Sequence, residues 1–342
     1  MYSTLRNKVG IGLLDIPEGG HPLPDESVGV SAHQRQDEAL EQSGAASSST
    51  QQTAKDRRES LRVLRKHLFI FLAVGFLAPA PFLFWMLHAR GSMDGSVFTV
   101  RTELPVKCVS AFFIWLATWM VARLEKRPMD DYGIPMREAL GVKFWEGCVW
   151  GFAMLSAVLL VLRAGGHFRI DSVALSGSAI ARYALAWGVT FLAVAVSEEF
   201  AFRGYWLFLM AKRLRFRRAA VFLSIIFAVA HLGNHGENVL GIVQVFAIGM
   251  LFCLMIRRTG TLWFALGFHA AWDWAETFFY GTPDSGLLGD GRLLNSSVQG
   301  PNWLTGGSAG PEGSILAFAV ILLCFLLVHL RFPRVIYPDK PV

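Results

Sequence analysis

Three short stretches of this chain place ionisable side chains inside apolar runs. "AVSEEFAFRG" holds Glu198, Glu199 and Arg203, "FAVAH" ends on His231, and "GFHAAWDW" holds His269 and Asp273. A carboxylate beside a histidine is able to take a proton from water, and further polar groups beside them can hold the charge that develops on an attacked carbonyl. Ionisable groups are expensive inside apolar segments, so they face a bundle interior or a wet cavity and mark a functional site.

Helical spacing separates their roles. Residues at i and i+4 share a face, so Glu199 and Arg203 are expected to pair and neutralise each other, whereas Glu198 points about 100° away and stays free for chemistry. The same spacing stacks Phe227 on His231, and His269 on Asp273. Blander readings exist for each group taken alone. The two glutamates and the arginine read as a structural ion cluster, but that leaves one carboxylate uncompensated. His231 alone reads as a packed core histidine, and His269 with Asp273 as a satisfied pair. Shared depth favours a common site: counted from the nearest basic loop residues at about 1.5 Å per residue, Glu198, His231, His269 and Asp273 lie about 16–22 Å along helices that run in opposite directions.

The elements that must position these residues follow from composition. Of 342 residues, 53% are apolar and 17% charged, against about 25% charged in an ordinary soluble domain, and the mean hydropathy is +0.42. The chain reads as an all-α, polytopic membrane protein. Eight stretches are candidate spans: Leu68–His88, Leu104–Leu124, Phe144–Ala164, Ala179–Met210, Ala219–Leu232, Val239–Ile256, Thr261–Tyr280 and Ile315–Leu330. The fourth is too long for one perpendicular crossing and is expected to tilt or to continue as an interfacial helix; the fifth is short.

Loop charge predicts orientation. Lys and Arg gather before the first span (Arg57 to Lys66), between the second and third (Arg123 to Lys143), between the fourth and fifth (Lys212 to Arg218), at Arg257 and Arg258, and after the eighth. Basic residues favour cytoplasmic loops, so both termini are expected in the cytoplasm and the segment from about Gly281 to Gly313 outside. The net charge of +6 is thereby a matter of topology, and nucleic acid is not an expected partner. Residues 1–60 include the polar run "QSGAASSSTQQTAKD" and read as a disordered cytoplasmic tail with no signal-peptide core. Residues 61–335 form the expected helical bundle. Cys108, Cys148, Cys253 and Cys324 sit in apolar segments without CxxC spacing and read as packing residues.

The three polar stretches resemble a known family. "SEEFAFRG" is similar to the EExxxR motif, "FAVAH" to the FxxxH motif and "HAAWD" to the Hxxx(N/D) motif of the CAAX-protease and bacteriocin-processing (CPBP) intramembrane proteases. Their order agrees too, and the resemblance covers about residues 145–280. It implies an intramembrane endopeptidase in which Glu198 and His231 activate water, His269 and Asp273 line the oxyanion site, and Glu199, Arg203 and Phe227 support them. It implies no cofactor, with a membrane-associated or lipidated peptide or protein as substrate and the lipid bilayer as surroundings. CAAX-cleaving members similar to this chain carry Asn where Asp273 stands. An ionised Asp cannot donate to an oxyanion, so Asp273 must either be protonated or orient His269.

Two alternatives use the same residues. Glu198, His231 and His269 are a possible zinc set, with water as fourth ligand. Buried Glu, His and Asp also build proton relays in transporters, although these tend to have Gly/Pro-broken helices in matching halves, and the apolar runs here that hold the ionisable groups lack proline. A non-catalytic scaffold is the third reading, but no motif residue is missing. HExxH is absent. "GGSAG" at 306–310 fits GxSxG but reads as a flexible linker rather than a nucleophile elbow, and "GLLGDG" at 286–291 reads as turns. His235, Glu237 and Asn238 read as solvated loop residues, and Trp272 and Trp274 as packing or interface aromatics.

Overall fold

The computed structural model describes residues 27–89, 97–234 and 239–339; His235, Glu237 and Asn238 lie outside the described residues. The chain divides into two units, Met1–Leu64 and Arg65–Val342. In the first, the described residues belong to helix α1, Ser27–Leu72. Residues 27–60 are therefore helical in a stretch whose composition suggested disorder, while residues 1–26 fall outside the described set. Local propensity accounts for the helix, since Ser27–Leu72 holds no proline and many Ala, Gln, Glu, Arg and Lys residues, most of them good helix formers.

The second unit carries the remaining elements. They are α2 (Ala80–Ala89), β1 (Val97–Phe98), α3 (Val100–Leu124), α4 (Val142–Ala164), β2 (Phe168–Val173), α5 (Ser178–Arg203), α6 (Tyr205–Leu214), α7 (Phe216–Ala230), α8 (Val239–Thr259), α9 (Trp263–Trp274), β3 (Leu288–Gly289), β4 (Leu294–Val298), α10 (Asn302–Thr305) and α11 (Ile315–Arg331). A π-helical segment, Ala275–Tyr280, extends α9. The fold is an all-α, polytopic membrane fold with two small two-stranded sheets among the described residues.

Five helical segments are long and apolar enough to cross a membrane: Arg58–Met86, Val100–Leu124, Val142–Ala164, Ser178–Leu214 and Val239–Thr259. The other three expected spans are helical but shorter, with 15 residues in α7, 12 in α9 before its π extension, and 17 in α11. Large apolar side chains point outward along these helices, as at Phe69 (71% exposed), Leu185 (71%) and Val149 (68%). In water such a surface would be a liability, and in hydrocarbon it is the expected one. The overlong fourth stretch is two helices: the backbone leaves helical geometry at Gly204 (φ −75°, ψ −124°), and α6 starts at once.

The α4–α9 seam does most to fix the site. Gly147 and Gly151, four residues apart on α4, lie against the Phe264 and Phe268 carbonyls, and Gly267 of α9 lies against the Phe144 carbonyl. A Cβ at any of these positions would run into main-chain oxygen, so the two backbones touch directly. Small residues four apart are the usual means of such close helix pairing. Helix α9 is held by backbone rather than by adjustable side chains.

The loops sort to two ends. At one, Arg331 pairs with Glu146 at 3.1 Å, Arg257 Nε donates to the Tyr337 carbonyl at 3.0 Å, the Arg217 N–H donates to Asp339 at 2.8 Å, and Lys212 lies 3.9 Å from Glu125. The basic segments thus converge. At the other end β2 pairs antiparallel with β4, and β1 pairs parallel with β3, which fastens residues 281–314 across the bundle.

Candidate active site

Glu198 and Glu199 occupy the last turns of α5, and Arg203 is its final residue. The i, i+4 pairing expected from spacing is present. Arg203 Nη1 donates to Glu199 Oε1 at 3.1 Å and to Oε2 at 3.3 Å, with both side chains fully buried. Three phenylalanine rings surround the guanidinium, Phe227 at 3.9 Å and Phe202 and Phe252 at 5.7 Å from its carbon to the ring centroids. Cation–π attraction of this kind strengthens when water is excluded. Gly249 of α8 leaves the room needed, because a Cβ there would stand 2.6 Å from Arg203 Nη2.

Glu198 faces a different way, into a cavity of about 350 Å³ that His231, His269, Asp273 and Phe227 also line. Its side chain keeps 29% exposure, against none for Glu199. Glu198 Oε2 lies 3.8 Å from His269 Nε2 and 4.0 Å from His231 Nε2. Both separations are too long for direct hydrogen bonds.

Each histidine is oriented by its other nitrogen. His231 caps α7 rather than lying inside it, and its Nδ1 is 2.8 Å from the Phe227 carbonyl. A carbonyl only accepts, so Nδ1 carries a hydrogen and the ring turns its Nε2 toward Glu198. Phe227 also packs its ring 4.4 Å from that of His231. His269 Nδ1 is 3.1 Å from Glu199 Oε1, and its Nε2 is 3.4 Å from Asp273 Oδ2. The ring stacks on Phe252 at 5.6 Å. Glu199 therefore joins Arg203 on one side to His269 on the other. Helical spacing alone could not show that second link, since it crosses from α5 to α9.

Other groups reach the cavity from places where the sequence gave less warning. Asp284, Ser285 and Glu312 belong to the segment between α9 and α11, and all three line the wall. Thr277 donates to Asp284 at 3.1 Å, and the N–H of Ser285 donates to Glu312 at 2.7 Å. Burial pushes the Asp284 carboxyl up to about 6, against the pull of the Thr277 hydrogen bond and of His269 and Lys107. The "GGSAG" stretch is not a loose linker: Ala309 is buried, lines the cavity and accepts from the Gly286 N–H at 2.9 Å. Ser308 is exposed and is not among the lining residues. Gln244 of α8 lines the cavity too, and the signal for it was plain, as the one polar side chain in Val239–Ile256. Trp272 lies at the cavity wall and donates to Glu276 at 3.0 Å, and Trp274 donates to the Ala184 carbonyl at 2.9 Å. The four cysteines are free.

Among the described residues, no group of three or more His, Cys, Asp or Glu side chains is arranged to hold a metal ion. In the set Glu198, His231 and His269, the two imidazole Nε2 atoms stand 4.0 and 3.8 Å from the carboxylate.

A multi-pass helical membrane protein with carboxylates and imidazoles gathered on a buried cavity is the class that fold and site define. Residues 180–275 match the family model described as Rce1-like, type II CAAX prenyl endopeptidase. That stretch runs from early α5 to the start of the π-helical segment, and its match is consistent with the CPBP/CAAX protease family. It contains Glu198, His231, His269 and Asp273. No curated protein matches the chain.

Proposed function

We propose that this protein is an intramembrane endopeptidase that hydrolyses a peptide bond of a membrane-associated or lipidated protein or leader peptide, with water activated by Glu198 and His231. The observation that carries this reading is that Glu198 Oε2 faces the Nε2 atoms of His269 and His231 at 3.8 and 4.0 Å in one cavity. Those are separations that a bridging water spans.

Glu198 takes a proton from the water, and the oxygen attacks the carbonyl carbon of the scissile bond. The His231 Nε2 lone pair shares the proton's hold. The tetrahedral oxyanion is met by His269, whose Nε2 donates when the ring carries both hydrogens. Asp273, 3.4 Å from that atom, orients the ring and balances its charge rather than donating to the oxyanion itself. As the C–N bond breaks, the proton held by Glu198 passes to the leaving amine. Glu199 and Arg203 act through His269 and fix its ring. No metal enters these steps.

The substrate must reach a cavity inside the bundle, and its main chain sheds water on the way at a cost of several kcal/mol per unpaired group. An extended segment next to a membrane anchor fits that demand, and a prenylated CAAX peptide is the narrower form of it. Both termini and the basic end lie on the cytoplasmic side, and residues 281–314 on the opposite side.

Glu198→Gln tests the assignment. Cleavage of a quenched-fluorescent peptide by the purified protein in lipid nanodiscs is expected to fall by at least about 100-fold, with an unchanged Tm because Glu198 is partly exposed. A variant that still cleaves near the parent rate removes the general base from this reading. Identical membrane proteomes with and without active Glu198, together with an altered proton flux, would point to transport instead.

A further inference from the structure

At the basic end of α3 a second cavity, of about 500 Å³, is walled by Trp119, Arg123, Lys126, Arg127 and Met129. None of these residues lines the active-site cavity. A column of aromatic rings leads to it along one face of the helix. Phe112 and Trp115 stand 6.3 Å apart between ring centroids, Trp115 and Trp119 stack at 6.4 Å, and the Arg123 guanidinium carbon sits 5.3 Å from the centre of the Trp119 ring. Phe112 and Trp119 are exposed, so in the bilayer this face meets acyl chains and ends, at Arg123, in charge.

That charge is not neutralised within the protein. Asp131 takes Arg127 at 3.3 Å, and Asp130 lies 3.9 Å from Arg137. Glu125 turns inward and accepts from the Tyr132 and Tyr205 hydroxyls at 2.6 Å each. Among the described residues, no carboxylate stands within ion-pair reach of Arg123 or Lys126. Lys126 also holds a left-handed backbone, with φ 55°, where its N–H donates to the Arg123 carbonyl at 3.0 Å and the Arg127 N–H donates to the Ala122 carbonyl at 3.1 Å. Glycine is the usual residue at this position of a helix end, because a side chain there strains the main chain. Topology asks for basic residues in this loop. It asks neither for a cavity among them nor for a lysine where glycine would fit with less strain.

We infer that this cavity binds the headgroup of an anionic glycerophospholipid, with its phosphate seated between Arg123 and Lys126 and its acyl chains laid along Phe112, Trp115 and Trp119. Phosphate oxygens accept charge-assisted hydrogen bonds from a guanidinium and an ammonium. A basic pocket beside a span at the membrane surface is the setting in which such headgroups are recognised. A zwitterionic headgroup brings a cation of its own against the same basic wall and binds less well. The aromatic column gives acyl chains a surface and gives free phosphate none, so lipid is the source that the site selects. The site is separate from the peptidase cavity, and its test does not depend on cleavage.

Native mass spectrometry of the full chain, released from detergent micelles and titrated with phosphatidylglycerol, phosphatidylcholine or inorganic phosphate, measures the affinity of each. Phosphatidylglycerol is expected to bind tightest. Arg123→Gln and Lys126→Gly are each expected to weaken its binding about 5-fold and to leave phosphatidylcholine binding unchanged. Lys126→Gly also relieves the left-handed backbone, so its Tm in phosphatidylcholine nanodiscs is expected at or above that of the parent, and a folding defect cannot imitate the lost affinity. With the parent protein, a photoactivatable phosphatidylglycerol is expected to cross-link within residues 112–129. Phosphatidylcholine that binds as tightly as phosphatidylglycerol, variants that keep the parent affinity, or cross-links confined to other segments overturn the inference. Inorganic phosphate that binds as tightly as the lipid overturns it too, by showing a phosphate site to which acyl chains add nothing.

Discussion

Removing Arg203 isolates the element of this site whose energetics the structure defines best. Its guanidinium is fully buried, bonded twice to Glu199 and set over the Phe227 ring. Arg203→Met leaves the fully buried Glu199 carboxylate with His269 Nδ1 as its remaining partner and takes away its cation, which costs about 3–5 kcal/mol. The lost cation–π contact adds about 2 kcal/mol at most. At about 1.4 °C per kcal/mol for a chain of this size, the loss amounts to a fall in Tm of about 4–10 °C. Thermal unfolding in detergent, followed by tryptophan fluorescence, measures it. The double variant Arg203→Met with Glu199→Gln is the control, because replacing a whole buried ion pair with neutral groups is often neutral or stabilising. The Gln oxygen still accepts from His269 Nδ1, so the double variant is expected to recover most of the lost Tm. If Arg203→Met unfolds within 2 °C of the parent, or the double variant is no more stable than the single, the pair does not hold the site as described.

Asp284→Asn is expected to raise Tm by a few degrees at pH 7 and to flatten its dependence on pH. The Asp284 carboxyl is raised toward about 6, so its contribution to stability is full below its unfolded value and is lost as pH rises through about 6; a parallel pair of Tm–pH curves would refute this. Chelation is expected to leave peptide cleavage unchanged, and stoichiometric zinc whose removal abolishes turnover would replace the glutamate mechanism. A reporter fused at Ser308 is expected to read out on the non-cytoplasmic side, and a cytoplasmic signal would overturn the orientation.

What the sequence disclosed and what it hid divide along a physical line. The Glu199–Arg203 pair, the outward turn of Glu198 and the stacking of His269 on Asp273 are consequences of helical pitch, and pitch can be counted. The gathering of α5, α7 and α9 at one depth was legible because charge in apolar runs is rare enough for coincidence to carry weight. The bond from Glu199 to His269 was not legible, since it depends on the rotation of one helix about another, and that rotation is set by the glycine seam between α4 and α9. Asp284 and Glu312 were hidden for a related reason. They lie in a Gly-rich segment without periodicity, and only the pairing of β4 with β2 and of β3 with β1 brings that segment over the cavity. The helix across residues 27–60 shows the opposite failing, because polar composition argues against burial and not against helical backbone. The break at Gly204 was foreseen as a length problem but could not be placed.

The seam and the strapped segment also set the size of the smallest transplantable piece. The recognised domain ends at residue 275 and begins at 180, yet the helix that registers His269 against Glu199 starts at Val142, and the wall facing Glu198 continues to Ile321. A fragment cut at the domain's boundaries would keep every motif and lose the alignment between them. In a chimaera, the stretch to exchange as one block runs from β1 at Val97 through α11, so that both glycine faces and both sheets come from the same parent.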